Sequence, residues 1–162
     1  MIIKNKNKIL IVGYGQDAKV LKDQASKDNK KIYIITKSKK NIKEKNVFFK
    51  TLDIKDKNKV SKYLKNFKNL HIYFFATHNI SSTEEENSQI FYKNLETNVI
   101  SLTNFLEFMS KNKKKNFKLF YACSSHIYEN SLSTKQNEKT TPLFSSHYAS
   151  TKYLGLEICH YY

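Results

Sequence analysis

The sequence predicts an α/β fold, a parallel sheet covered by helices on both faces. Three observations carry this expectation. Short β-branched and aromatic runs alternate with helical patterns along the whole chain. Most of those runs are apolar throughout, as strands covered on both faces are. The first run ends in a glycine-bearing turn that opens a helix.

The elements follow in order. "KILIV" (8–12) reads as a buried strand that stops at Gly13, and 16–28 as a helix with Val20 and Leu21 facing inward. "KIYIIT" (31–36) is a second buried strand and "NVFFKTLDI" (46–54) a third. "DKNKVSKYLKNF" (56–67) places Val60, Tyr63, Leu64 and Phe67 at helical spacing. "LHIYFFAT" (70–77) is the fourth strand. Residues 88–111 read as one long amphipathic helix, with Ile90, Leu95, Val99, Leu102, Phe105 and Met109 among its inward positions. "FKLFYACSS" (117–125) is the fifth strand, and 146–162 the final helix. Repeats and linkers are absent, so residues 1–162 are expected to form a single domain.

Composition narrows the function classes. No apolar run approaches the roughly 20 residues of a membrane span, and "MIIKNKNK" (1–8) has no apolar segment of a secretory signal. Cys123 and Cys159 lack metal-ligand spacing and read as reduced thiols of a cytoplasmic protein, with no metal site. The net charge of +15 invites a nucleic-acid partner, but all 29 basic residues are lysine. Arginine, which supplies the bidentate fork for guanine and phosphate, is missing. The lysines are spread along the chain and interleaved with asparagine, the text an AT-rich genome writes, so no nucleic-acid partner is expected.

The turn after the first strand is "GYGQDA", which fits G-x-G-x-x-G/A between a strand and a helix. Gly13 permits the tight turn, Gly15 allows a pyrophosphate to approach the backbone, and Ala18 lets the helix pack close to the strand. The helix N-terminus at Gln16 and Asp17 offers free N–H groups to phosphate. This predicts dinucleotide binding by a Rossmann-type, doubly wound sheet. The second strand ends in "TKSKK", where Lys37, Lys39 and Lys40 favour a 2′-phosphate, hence NADP over NAD. Asp53, at the end of the third strand, either bonds an adenine amino group or caps the helix over 56–67.

Ser124, Tyr148 and Lys152 form the candidate proton-transfer set. Tyr148 and Lys152 stand four apart on one helix face. A phenol with a pKa near ~10 is a poor base at neutral pH, and a neighbouring ammonium brings it down. Ser124 could hold the substrate oxygen whose proton Tyr148 takes. The implied chemistry is oxidation of a secondary alcohol with hydride passing to nicotinamide.

Four stretches together resemble the N-terminal portion of the extended short-chain dehydrogenase/reductase family, in particular its nucleotide-sugar epimerases and dehydratases and the GDP-mannose 4,6-dehydratase group. They are "GYGQDA" (13–18), "NVISLTNFLEF" (98–108), "YACSSHIYEN" (121–130) and "NEKTTPLFSSHYASTK" (137–152). The resemblance implies Tyr148 as catalytic acid/base, Lys152 as its partner and a ligand of the cofactor ribose, and Ser124 as the substrate-positioning hydroxyl. It also implies a site-ordering role for Asn98 and a cofactor contact at Ala76, in the strand end "FFATHN" (74–79). A nucleotide sugar is the implied substrate. The chain departs from the family in three places. Its glycine turn is one residue shorter, Phe74 and Phe75 are bulky, and His126 stands where the 4,6-dehydratases carry a glutamate, which favours an epimerase or reductase. His78 reads as a loop residue rather than a metal ligand. In the family another strand and a sugar-gripping region follow the Tyr-x-x-x-Lys helix, so a C-terminally truncated domain is expected, inactive alone or completed as a homodimer or by a complementing C-terminal chain. A non-catalytic dinucleotide-binding remnant and a basic nucleic-acid-binding protein are the competing functions.

Overall fold

In the computed structural model, residues 8–78, 87–129, 132 and 135–162 are described. The N-terminal residues 1–7, and Asn79 and Asn130 at the ends of two motifs, lie outside them. Five strands form one parallel sheet: β1 (Lys8–Val12), β2 (Ile32–Thr36), β3 (Val47–Thr51), β4 (Leu70–Phe74) and β5 (Phe117–Tyr121). Their spatial order is β3-β2-β1-β4-β5. The order reverses at β1, so the crevice between the C-terminal ends of β1 and β4 is the place where a doubly wound sheet binds its ligand. Register there is fixed by Val12 opposite both Ile35 and Phe74.

Alternate β1 residues feed two cores. Leu10 and Val12 pack with Val60 and Leu64 of α2 (Lys57–Leu64) and with Leu102 and Phe105 of α4 (Ser101–Lys111). Ile9 and Ile11 pack with Ala18 and Ala25 of α1 (Gln16–Lys27) on the opposite face. Helices therefore cover both faces, as expected. Among the described residues, no helix is long and apolar enough to cross a membrane.

Three expectations are corrected. The inward residues of α1 are Ala18, Lys22 and Ala25, while Val20 is 57% exposed and Leu21 only half-buried. Lys22 is buried because its ammonium bonds both carboxylate oxygens of Glu44, at 2.9 and 2.7 Å, and its stem covers apolar surface on the way. β3 is an edge strand rather than a buried one, with Phe48 exposed on its rim. The long helix is not uniform: α3 (Ser88–Asn94) and α4 flank a π-helical segment, Leu95–Ile100. The wider turn is closed by Ser101 Oγ donating to Glu96 O at 2.9 Å. Such segments hold one extra residue per turn and recur at functional sites. The last helix, α5 (His147–Tyr161), starts at the Ser146 side chain, which accepts from Ala149 N.

Candidate active site

At the end of β1, Gly13 has φ +93°, a conformation open to glycine. A Cβ there would lie 2.8 Å from Ala76 N and 2.9 Å from Ala76 Cα. Gly13 thus lets the ends of β1 and β4 close on each other, which places Ala76 beside the turn. Gly15 is different: it has ordinary φ, and a Cβ would meet nothing within 4 Å. It caps α1 without a side chain, so the first-turn amides of α1, beside exposed Gln16 and Asp17, have no side-chain cap. An open approach to Gly15 backed by an uncapped helix N-terminus fits a dinucleotide pyrophosphate.

The neighbouring strand ends carry the remaining cofactor candidates. Lys37 follows buried Thr36 at the end of β2 and is exposed, as are Lys39 and Lys40. Asp53 is exposed in the loop after β3, where Oδ1 accepts from Lys55 N at 3.0 Å. The cap of α2 is Asp56, whose carboxylate accepts from Lys59 N at 3.0 Å, so the capping alternative for Asp53 is removed. Asn104 of α4, which the sequence did not single out, pins this loop by donating to Ile54 O and Lys55 O at 3.0 and 3.1 Å.

Asn98 lies in the π-helical segment and is fully buried. Its Oδ1 accepts from Thr77 Oγ1 at 2.9 Å and from His78 N at 3.1 Å. Its Nδ2 donates to Thr151 Oγ1 at 3.0 Å and to His78 O at 3.5 Å. One amide thereby ties the end of β4 to α5. Thr151 in turn donates to Tyr148 O at 3.0 Å. His78 is a loop residue, its Nδ1 2.8 Å from Asn94 Oδ1. No group of three potential metal ligands occurs among the described residues.

Tyr148 and Lys152 both rise from α5. Tyr148 is half-buried and meets the His126 ring edge-on. Lys152 is 2% exposed, and its ammonium donates to Ala122 O at the end of β5 and sits 4.3 Å from the Tyr121 ring centroid. The ammonium is bonded to that carbonyl and not to the phenol. Gly155 lets α5 come this close, since a Cβ there would lie 2.4 Å from Tyr121 Oη and 3.2 Å from Asn98 O. Tyr121 and Gly155 are the packing residues that sequence reasoning missed, and Gly155, three residues after Lys152, was the signal for them. Ser124 begins the 3₁₀ turn Ser125–Tyr128, its Oγ accepting from His126 N at 3.2 Å. It lines an open cleft of about 500 Å³ with Cys123, Tyr128 and Glu138.

Burial pushes the Lys152 ammonium down from 10.5 to about 8. Between those values the unfolded chain holds a proton that the folded chain has lost, so stability rises with pH across that window. Below pH ~8 both states hold it and the burial cost is complete, roughly 3 kcal/mol. Burial pushes the Cys159 thiol up to about 11 and the Tyr63 hydroxyl up to about 12. Those groups act oppositely as pH rises through their unfolded values of 9.0 and 10.0, because the folded chain then keeps protons that the unfolded chain loses. The Lys152 contribution is therefore seen below pH ~9. The unfolding free energy is expected to rise by about 1 kcal/mol between pH 7.5 and 9, and Lys152→Met to flatten that rise. Urea melts of both proteins across this range check it, and an equal slope in the variant would refute the assignment.

The sheet order, with a glycine turn at the switch between β1 and β4, defines a Rossmann-type α/β protein. The chain belongs to the GDP-mannose 4,6 dehydratase family, whose profile matches residues 9–162. Solved structures agree on the fold. The Bordetella bronchiseptica enzyme WbmG in complex with NAD superposes with a TM-score of 0.81 at 13% identity, covering 99% of this chain and 52% of that one. UDP-N-acetylglucosamine 4-epimerase from Bacillus cereus gives 0.74 at 18% identity, covering 96% and 55%. Uronate dehydrogenase from Agrobacterium tumefaciens gives 0.74 at 16%, covering 97% and 56%. The chain spans about half the length of these proteins. No curated protein sequence matches it.

Proposed function

We propose that this chain is the cofactor-binding and proton-transfer portion of an NAD(P)-dependent enzyme acting on a nucleotide sugar, as an epimerase, dehydratase or reductase. One connected path supports the reading. Gly13 closes on Ala76, the adjoining Thr77 and His78 bond Asn98, and Asn98 bonds Thr151, between Tyr148 and Lys152. The glycine turn and the Tyr/Lys pair are thus held in one frame.

In this reading Gly15 and the first turn of α1, with Gln16 and Asp17, receive the pyrophosphate. Asp53 bonds the adenine amino group and Lys37 faces the ribose 2′ position. A bound nicotinamide supplies the hydride acceptor. Ser124 holds the sugar hydroxyl, and Tyr148 removes its proton. Lys152, once drawn from Ala122 O to the ribose and the phenol, stabilises the phenolate that makes Tyr148 a base. The rest of the sugar site belongs, in this reading, to the half of the fold that residues 1–162 do not span.

The test is a fluorescence titration with NADPH and NADH. Both are expected to saturate, NADPH the tighter, with the gap narrowing as salt screens Lys37, Lys39 and Lys40. Tyr148→Phe is expected to keep that binding and, in a protein that carries the whole sugar site, to slow turnover of a UDP- or GDP-sugar by roughly 10²–10⁴-fold. Absence of saturable binding would sink the proposal. A non-catalytic cofactor-binding protein is the second reading, favoured by the Lys152 ammonium bonding Ala122 O instead of the phenol. Under it, wild type and Tyr148→Phe both bind and neither turns over.

A further inference from the structure

Two lysines are buried among the described residues: Lys152 in the site, and Lys22 in the second turn of α1. The Lys22 ammonium donates to Glu44 Oε1 and Oε2 at 2.9 and 2.7 Å, and lies 2.8 Å from Asp23 Oδ1. Asp23 is exposed and on the same helix, so Glu44 alone bonds Lys22 to another part of the chain. Glu44 stands near the far end of the connection between β2 and β3, residues 37–46. Residues 37–45 are exposed and form no helix, and a single bridge joins Glu44 to Val47. The near end is fixed at the crevice. Gly13 N donates to Ile35 O at 3.0 Å, Leu52 N to Thr36 O at 3.1 Å, and Thr36 Oγ1 to Ser38 O at 2.8 Å. Among the described residues, Glu44 is the one side chain of 37–46 that bonds another element. It is also the only acidic residue between Asp28 and Asp53, in a stretch rich in lysine. Such a stretch supplies partners for any surface carboxylate, but not a carboxylate for a buried lysine.

We propose that the Lys22–Glu44 ion pair sets the preference for NADP over NAD by fixing the far end of this connection. Lys37, Lys39 and Lys40 then stand ordered between two anchors, beside the ribose 2′ position. This rests on the function given above and deepens it, adding two positioning residues to the cofactor site. Lys22 stands six residues, roughly 9 Å, along α1 from Gln16, so it acts through the connection and not on the ligand. A loose connection has to be ordered when it closes on a phosphate, and that loss of chain entropy weakens binding. A connection anchored at both ends is ordered beforehand. The gain falls to the cofactor with a 2′-phosphate, because NADH gives the three lysines no charge at that position. An ion pair suits this task better than an apolar contact. A buried pair adds little net stability over an apolar replacement, but its hydrogen bonds are directional and hold one geometry.

Three variants of the full chain decide it, each titrated with NADPH and with NADH by fluorescence. Glu44→Gln and Lys22→Met are expected to weaken NADPH roughly five- to tenfold and NADH by less than about twofold. Lys22→Arg keeps the charge, and its fork grips both carboxylate oxygens, so it is expected to stay within about twofold of wild type for both cofactors. Limited trypsin digestion of the same samples reads the connection without any cofactor. Cleavage after Lys37, Lys39, Lys40 and Lys43 is expected to quicken at least roughly threefold in Glu44→Gln and Lys22→Met, and not in Lys22→Arg. Equal weakening of NADPH and NADH would show a purely structural role and overturn the proposal. Unchanged NADPH affinity or unchanged cleavage in Glu44→Gln overturns it too, as does a loss in Lys22→Arg equal to that in Lys22→Met. Glu44→Gln keeps the test decisive if Lys22→Met fails to fold, because the side chain it replaces is 35% exposed. Wild type separates the two claims. If it binds neither cofactor, or NADH the more tightly, the reading of the three lysines falls, whereas tighter NADPH with an unchanged ratio in the variants removes only the role of the ion pair.

Discussion

Gly13→Ala is expected to lower the melting temperature by roughly 6–12 °C, whereas Gly15→Ala, two residues on, is expected to leave it within about 2 °C. The two glycines share one motif but meet different demands. At Gly13 a side chain faces a backbone angle of +93° and a Cβ 2.8 Å from Ala76 N. The neighbour is backbone in the crevice between β1 and β4, so neither strand end can yield without loosening the centre of the sheet. Strain and overlap together cost about 3 kcal/mol. At Gly15 the angle is ordinary and the space is open. Its Cβ would instead occupy the volume proposed for the pyrophosphate. Gly15→Ala should therefore fold normally and bind NADPH at least about tenfold more weakly. Melting curves and cofactor titrations of the pair check this. Equal destabilisation by both substitutions would show that Gly15 serves the fold and not a ligand.

The same contrast explains what the sequence could reveal. Strand β1 was legible to the residue because "KILIV" is apolar on both faces and ends at a glycine, both properties of the local text. The pair on α5 was legible because Tyr148 and Lys152 need only helical spacing to share a face. The buried side of α1 was not. Lys22 turns inward because Glu44 waits 22 residues away, and no pattern within the helix records that partner. The edge position of β3 was equally hidden, since "NVFFK" is apolar enough for a central strand and only the sheet order makes it a rim. The π-helical turn was masked by a hydrophobic repeat that tolerates one extra residue. What that residue does is bring both Asn94 and Asn98 inside, and asparagines are not counted when an apolar face is sought. The resemblance had marked Asn98, but its partners Thr77 and His78 come from one distant stretch and Thr151 from another, and they meet it only in the fold. Lys152 is the opposite case: the residue was plain, but its bond to Ala122 O was not, because spacing within a helix says nothing about the strand beneath.

Asn98→Leu is expected to cost about 3 kcal/mol, close to the effect of Gly13→Ala though no backbone strain is involved. Leucine is near asparagine in size, so the loss comes from polar groups left without partners. His78 N–H loses its acceptor, and Thr77 Oγ1 loses its short bond. Thr151 Oγ1 still donates to Tyr148 O but no longer receives Nδ2. At a fully buried position, water is poorly placed to replace these bonds. Thr151→Val removes one of them, together with the bond from Thr151 Oγ1 to Tyr148 O, and should cost about 1 kcal/mol. Because both substitutions break the same Asn98–Thr151 bond, their effects should not add. The double variant is expected to fall short of the sum by roughly 0.5–1 kcal/mol. Urea denaturation of the four proteins measures that coupling. Strict additivity would mean that the bond between the π-helical turn and α5 contributes nothing, and that α5, with Tyr148 and Lys152, is placed by its other contacts, among them Gly155 on Tyr121 and Lys152 on Ala122 O.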